Sequence, residues 1–122
     1  MRLTLLLLFA SCLHALAARP NFVFIIADDL GWGDLGCQGH PYAKTPNIDK
    51  LAADGTRFTK FHATGVTCCP ARTGLMTGRC WSRFGVTTPQ NERALPWDTM
   101  TLPLALKTVG YETCLTGKWH LG

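Results

Sequence analysis

Little of this sequence is charged, and none of the charge comes in blocks. Lys and Arg number 12 and Asp and Glu 8, only 16% of 122 residues, for a net charge of +4. No basic run offers a track for a phosphate backbone, so nucleic acid is not expected as a partner. No apolar run reaches the ~20 residues a spanning helix requires, so no stable membrane span is expected either. The chain lacks internal repeats, low-complexity stretches and linkers. Six Cys are too few for a disulfide-dense miniature scaffold and more than a cytosolic domain usually carries. Hydrophobic residues, at 47%, are too many for a disordered tail. The length suits one small domain or a piece of a larger one.

What is present begins with a leader. Met1-Arg2 is a short positive start, Leu3 to Ala10 is apolar, and Ala15-Leu16-Ala17 has the small-x-small pattern of a cleavage site. Residues 1–18 therefore read as a secretory signal peptide, and the compartment as secreted or periplasmic. A membrane anchor and lipoprotein processing at Cys12 are the alternatives. Cleavage leaves a mature chain, 19–122, with five Cys.

Asn21 to Ala27 is a continuous β-branched and aromatic run, the pattern of a strand buried on both faces of a parallel sheet. It runs into the Gly- and Asp-rich loop Asp28 to Asp34. Thr45 reads as an N-cap with Pro46 at the first helical position. Ile48, Leu51 and Ala52 line one face of that helix, and Gly55 ends it. Residues 56–61 and 111–116 read as further strands. Pro70 reads as the opening of a second helix, and 81–98 as a long loop. Thr101 reads as the cap of a third, with Leu102, Ala105, Leu106 and Val109 on its apolar face. The order predicts an α/β fold, a mostly parallel sheet flanked by helices. Sites in such sheets lie beyond the carboxyl ends of the strands, where Asp28-Asp29 and Lys118-His120 both fall. Three strands and a few helices leave sheet edges uncovered. The expectation is thus the amino-terminal part of a larger catalytic domain, with a complete small secreted protein as the alternative.

Two constellations carry chemistry. Asp28-Asp29 are hard oxygen donors suited to Ca²⁺ or Mg²⁺, or else a solvated acidic turn. Cys68-x-Pro70-x-Arg72, followed by Thr77-Gly78, is the longer pattern. A helix opening there places Cys68 at its positive end, with Arg72 about one turn on, a setting for an anionic oxygen group. Cys68 could equally be a thiol nucleophile, its pKa lowered by that setting. Cys68 or Cys69 could instead pair with Cys37, Cys80 or Cys114. His40 reads as a plain loop histidine, and the four Trp as core residues or sugar-stacking platforms.

The Cys68 motif resembles the signature of the type I sulfatases, of the alkaline-phosphatase-like superfamily. Pro20 to Gly31 resembles that family's first strand and metal loop, and Gly117-Lys118-Trp119-His120-Leu121-Gly122 its second signature. Thr45 to Asp49 and the helix ending in Gly110-Tyr111 fit as well. The resemblance covers Pro20 to Gly122. It implies hydrolysis of aryl or carbohydrate sulfuric esters by the intact protein, with this stretch alone inactive. It implies that a maturation enzyme converts Cys68 to Cα-formylglycine. One hydroxyl of the aldehyde hydrate then attacks sulfur to give a sulfo-enzyme, and deprotonation of the other releases sulfate. Asp28, Asp29 and Cys68 would ligate one divalent cation, calcium ahead of magnesium. Arg72 would hold the hydrate, Lys118 would contact sulfate oxygens, and His120 would act as base.

The remaining metal ligands, the leaving-group His and a second Lys of that family lie downstream of Gly122. Cys69 fills a position where relatives usually carry another small residue. A phosphonate monoester or phosphodiester hydrolase of the same superfamily is a neighbouring reading, and a non-catalytic binding relative a more distant one. A cysteine phosphatase would leave Asp28-Asp29 and Lys118-x-His120 without a purpose.

Overall fold

The computed structural model describes residues 19–88 and 95–122. The expected leader, 1–18 with Cys12, and part of the expected long loop, 89–94, lie outside the described residues. The elements are a 3-10 turn at Gly36–Gln38, helix α1 at Pro46–Asp54, helix α2 at Cys68–Thr77, a 3-10 turn at Trp81–Phe84, and helix α3 at Leu102–Thr108.

Helix α1 starts and stops where expected. Pro46 has no amide to leave unsatisfied in the first turn, and the Gly55 N–H closes the last turn on Leu51 O at 3.0 Å. Thr45 precedes the helix without capping an amide by its side chain. Its hydroxyl instead donates to Asp49 Oδ1 at 2.8 Å and accepts the Gly36 N–H at 2.8 Å. Asp49 Oδ1 also accepts the Cys37 N–H at 2.7 Å. Asp49 thus ties the 3-10 turn to α1. A Cβ on Gly36 would lie 2.5 Å from Asp49 Oδ2, so any larger residue there would push the Asp49 carboxylate aside. The apolar face of α1 is not buried: Ile48 and Leu51 are exposed.

Helix α2 begins at Cys68, two residues before the Pro70 start that the sequence suggested. Pro70 sits in the first turn, where its missing amide has no intrahelical acceptor to lose. The hydroxyls of Thr73 and Thr77 donate to the carbonyls four residues back, at 2.9 and 2.7 Å. Gly78 closes the helix in the left-handed region (φ 65°), and its N–H reaches Gly74 O. Helix α3 stops at Thr108, with Val109 as its C-cap, a residue short of the expected apolar face.

The core is small and sits on α2. Cys69 and Met76 pack with Val86 and Leu121, and Leu75, Trp81, Phe84, Leu95 and Trp119 border them.

No strand ladder forms among the described residues. The runs expected as strands, 21–27, 56–61 and 111–116, have no paired neighbour, and Val23 and Ile25 are 87% and 84% exposed. A run buried on both faces needs paired strands and a helical layer on each side, and the described residues give it neither. Two of these runs still lie alongside one another in the same direction. The Phe22 and Tyr111 rings meet at 5.6 Å, and Tyr111 Oη donates to Pro20 O at 3.0 Å. At the far end of the two runs, Lys118 meets Asp28.

Candidate active site

A cavity of about 430 Å³ opens between residues 24–30, residues 61–67 and the start of α2. Asp28, Asp29, Thr64, Cys68, Ala71 and Arg72 are among its lining residues. Cys68, the first residue of α2, is half-buried. None of the five described cysteines is in a disulfide.

Arg72 lies one turn on from Cys68 and is 7% exposed. Its guanidinium divides between two loops. Nη2 donates to Asp28 Oδ1 at 2.9 Å, and Nη1 donates to the Lys118 carbonyl at 2.6 Å. Nε is buried without a partner among the described residues. Lys118 Nζ takes the other oxygen of Asp28 at 2.6 Å.

Electrostatics follow that geometry. Hydrogen bonds from Lys118 first and Arg72 second hold the Asp28 carboxyl below its ordinary pKa. The hydrogen bond to Asp28 raises the Lys118 ammonium, with a smaller contribution from Cys68 beside it. Both side chains keep over a third of their surface in water, so the pair is partly screened. Burial pushes the neighbouring Cys69 thiol up, which marks it as a core residue rather than a nucleophile.

Of the six residues singled out in the sequence, four gather here: Asp28, Cys68, Arg72 and Lys118. Asp29 lines the cavity beside them with its backbone in the left-handed region (φ 59°). His120 shares that backbone geometry (φ 59°), but it is exposed and makes no hydrogen bond with any described residue. Its neighbours Trp119 and Leu121 turn into the core. Left-handed conformations in residues other than glycine cost energy and tend to cluster at functional sites.

Thr64 belongs to none of the sequence motifs. Its hydroxyl donates to Ala71 O at 3.0 Å, and its carbonyl accepts Trp81 Nε1–H at 2.8 Å. The one signal for it in the sequence is Gly74, a glycine inside a helix, which often marks a close approach.

The metal expectation can be tested on donor chemistry. Asp28 and Asp29 are adjacent carboxylates on the wall of the cavity next to Cys68, and they suit a hard divalent cation. No three His, Cys, Asp or Glu side chains converge among the described residues. Two carboxylates alone supply fewer donors than the about six to eight oxygens that calcium takes.

The sulfatase family model matches residues 20–122. Human arylsulfatase A is 49% identical over 123 residues, covering 98% of this chain and 24% of that protein. Rat arylsulfatase G is 48% identical over 109 residues, covering 87% of this chain and 21% of that protein. Human steryl-sulfatase is 46% identical over 118 residues, covering 89% of this chain and 20% of that protein. The chain thus spans about a quarter or less of the length of these relatives. The matched region takes in all three motifs, and the chain belongs to the sulfatase family.

Proposed function

We propose that the protein to which this chain belongs hydrolyses sulfuric esters of aryl or carbohydrate alcohols. The observation that carries the reading is the cluster at the start of α2. Two cations, Arg72 and Lys118, converge on Asp28 beside the half-buried Cys68. Relatives named arylsulfatase, steryl-sulfatase and N-acetylgalactosamine-6-sulfatase support it.

Cys68 fits the expected conversion to formylglycine: it is unpaired, on the cavity wall, and followed by Pro70 and Arg72. Once formed by a maturation enzyme, the hydrated aldehyde supplies two hydroxyls on one carbon, one as nucleophile and one to be deprotonated. Asp28 and Asp29 would hold a divalent cation, calcium ahead of magnesium, which supplies positive charge next to the sulfuryl oxygens. Arg72 is fixed by its two hydrogen bonds, so its charge stands ready without reorganisation. Lys118 reaches the same place from the opposite loop and binds sulfuryl oxygens. His120, on the loop that Arg72 holds through the Lys118 carbonyl, takes the proton. The parallel course of 21–27 and 111–116 supports the reading of both as strands of an α/β sheet, with the site beyond their carboxyl ends. We place the protein outside the cytoplasm on the leader pattern of 1–18. No helix among the described residues is long and apolar enough to cross a membrane.

The test is turnover of an aryl sulfate and a matched aryl phosphate by the full-length protein, with peptide mass spectrometry across Cys68. The expected result is sulfate hydrolysis, an aldehyde at position 68, and no turnover by Cys68→Ala. Preference for the phosphate, or full activity in Cys68→Ala, overturns it.

A further inference from the structure

Helix α2 carries both Cys68 and Arg72, yet nothing caps its first turn: Thr67 precedes it without a side-chain hydrogen bond. The helix is held from the side instead. The segment at Thr64-Gly65 lies flush on the face formed by Pro70, Ala71 and Gly74. A Cβ on Gly65 would lie 2.7 Å from Pro70 Cβ, and a Cβ on Gly74 would lie 2.5 Å from Thr64 Cβ. Two hydrogen bonds close the contact. The Thr64 hydroxyl donates to the Ala71 carbonyl at 3.0 Å, and the Trp81 indole N–H donates to the Thr64 carbonyl at 2.8 Å. Ala71 is the residue before Arg72 and three after Cys68. The hydroxyl therefore grips the helix between the two groups whose separation matters.

We propose that Thr64 is a positioning residue. Clamped by Trp81, it fixes the uncapped first turn of α2 against the cavity wall and so sets where the Cys68 side chain stands relative to Asp28 and Lys118. This deepens the sulfatase reading and rests on it. Thr64 touches none of the reacting groups and acts through α2. It keeps one side in solvent, so the isosteric Thr64→Val removes the donor without opening a buried hole.

The experiment uses the full-length protein as wild type, Thr64→Val and Thr64→Ser, with activity expressed per formylglycine-bearing molecule. For Thr64→Val, amide hydrogen exchange over residues 68–75 is expected to quicken. Its kcat on an aryl sulfate should fall roughly tenfold with KM within about twofold, the signature of a misplaced nucleophile rather than lost binding. Thr64→Ser keeps the hydroxyl and should restore both readings. Wild-type exchange and kcat in Thr64→Val, or equal damage in Thr64→Ser, overturns the proposal. A wild-type protein without sulfate turnover overturns the sulfatase reading instead, and the exchange contrast between Val and Ser still decides the clamp.

Discussion

Lys118 Nζ sits 2.6 Å from Asp28 Oδ2, and the two residues are 90 positions apart in the chain. Arg72 holds the other oxygen of the same carboxylate and, with its second arm, the carbonyl of Lys118. One guanidinium therefore joins the loop after the first apolar run to the loop after the last.

That double attachment makes the fork of Arg72 matter as much as its charge. Lysine keeps the charge but presents a single point donor. Arg72→Lys is expected to keep one of the two bonds and to lose kcat/KM roughly tenfold or more through misalignment of the loops. Steady-state kinetics on an aryl sulfate check this. Wild-type kcat/KM in the lysine variant would mean that the fork plays no part.

Asp49 gives a pH dependence away from the cavity. The Thr45 hydroxyl first, and the Cys37 amide after it, hold its carboxyl below the ordinary value. A depressed carboxyl pKa means the folded state favours the charged form. The contribution is therefore fully present above the ordinary carboxylate range and is lost as pH falls through the lowered folded value. Denaturant titration of wild type and Asp49→Asn should show a stability gap at neutral pH that narrows in acid. A gap that stays constant down through the carboxylate range would contradict this account.

Gly74→Ala is a change that normally helps a helix by about 1 kcal/mol. Here the new methyl meets Thr64, and overpacking of this kind typically costs about 1–3 kcal/mol. The expected result is a net loss of about 1 kcal/mol in thermal or denaturant unfolding, the difference of those two effects. The penalty should shrink when Thr64→Gly is made alongside, because the two positions share one space. A stabilised Gly74→Ala protein would show that the contact is loose.

The helices were legible in the sequence because their signals are local. Pro46 and Gly55 bracket α1, and Gly78 closes α2 where the motif ends. The early start of α2 at Cys68 was missed because proline is tolerated throughout a first turn, not at one position alone. The short turn at Trp81–Phe84 lay hidden in a stretch without periodicity. Strands are another matter. Residues 21–27 have the composition of a buried strand, but pairing is a property of two segments, and the described residues form no ladder. At the site, the sequence singles out Asp28, Cys68, Arg72 and Lys118, and the structure brings these four together. His120 was named with them; it is exposed and makes no hydrogen bond with any described residue. Thr64 was invisible because its partners, Ala71 and Trp81, are set by tertiary approach rather than by spacing. His40 reads as a plain loop histidine, and in the structure its Nδ1 accepts the amides of Tyr42 and Ala43 at 3.2 and 2.8 Å.

The two side-by-side runs are measured off against each other like the rails of a ladder with rungs only at its ends. Asp28 stands six positions after Phe22, and Lys118 seven positions after Tyr111. Near the end of the second rail Gly117 has a φ of 104°, a conformation that a side chain would resist. Segment length, then, decides which carboxylate faces the ammonium. In an extended chain, neighbouring side chains point to opposite sides. One residue added or removed between Phe22 and Asp28 would put Ala27 or Asp29 opposite Lys118, although every side chain of the cluster was still present. Within these two runs the protein should tolerate changes of residue far better than changes of count.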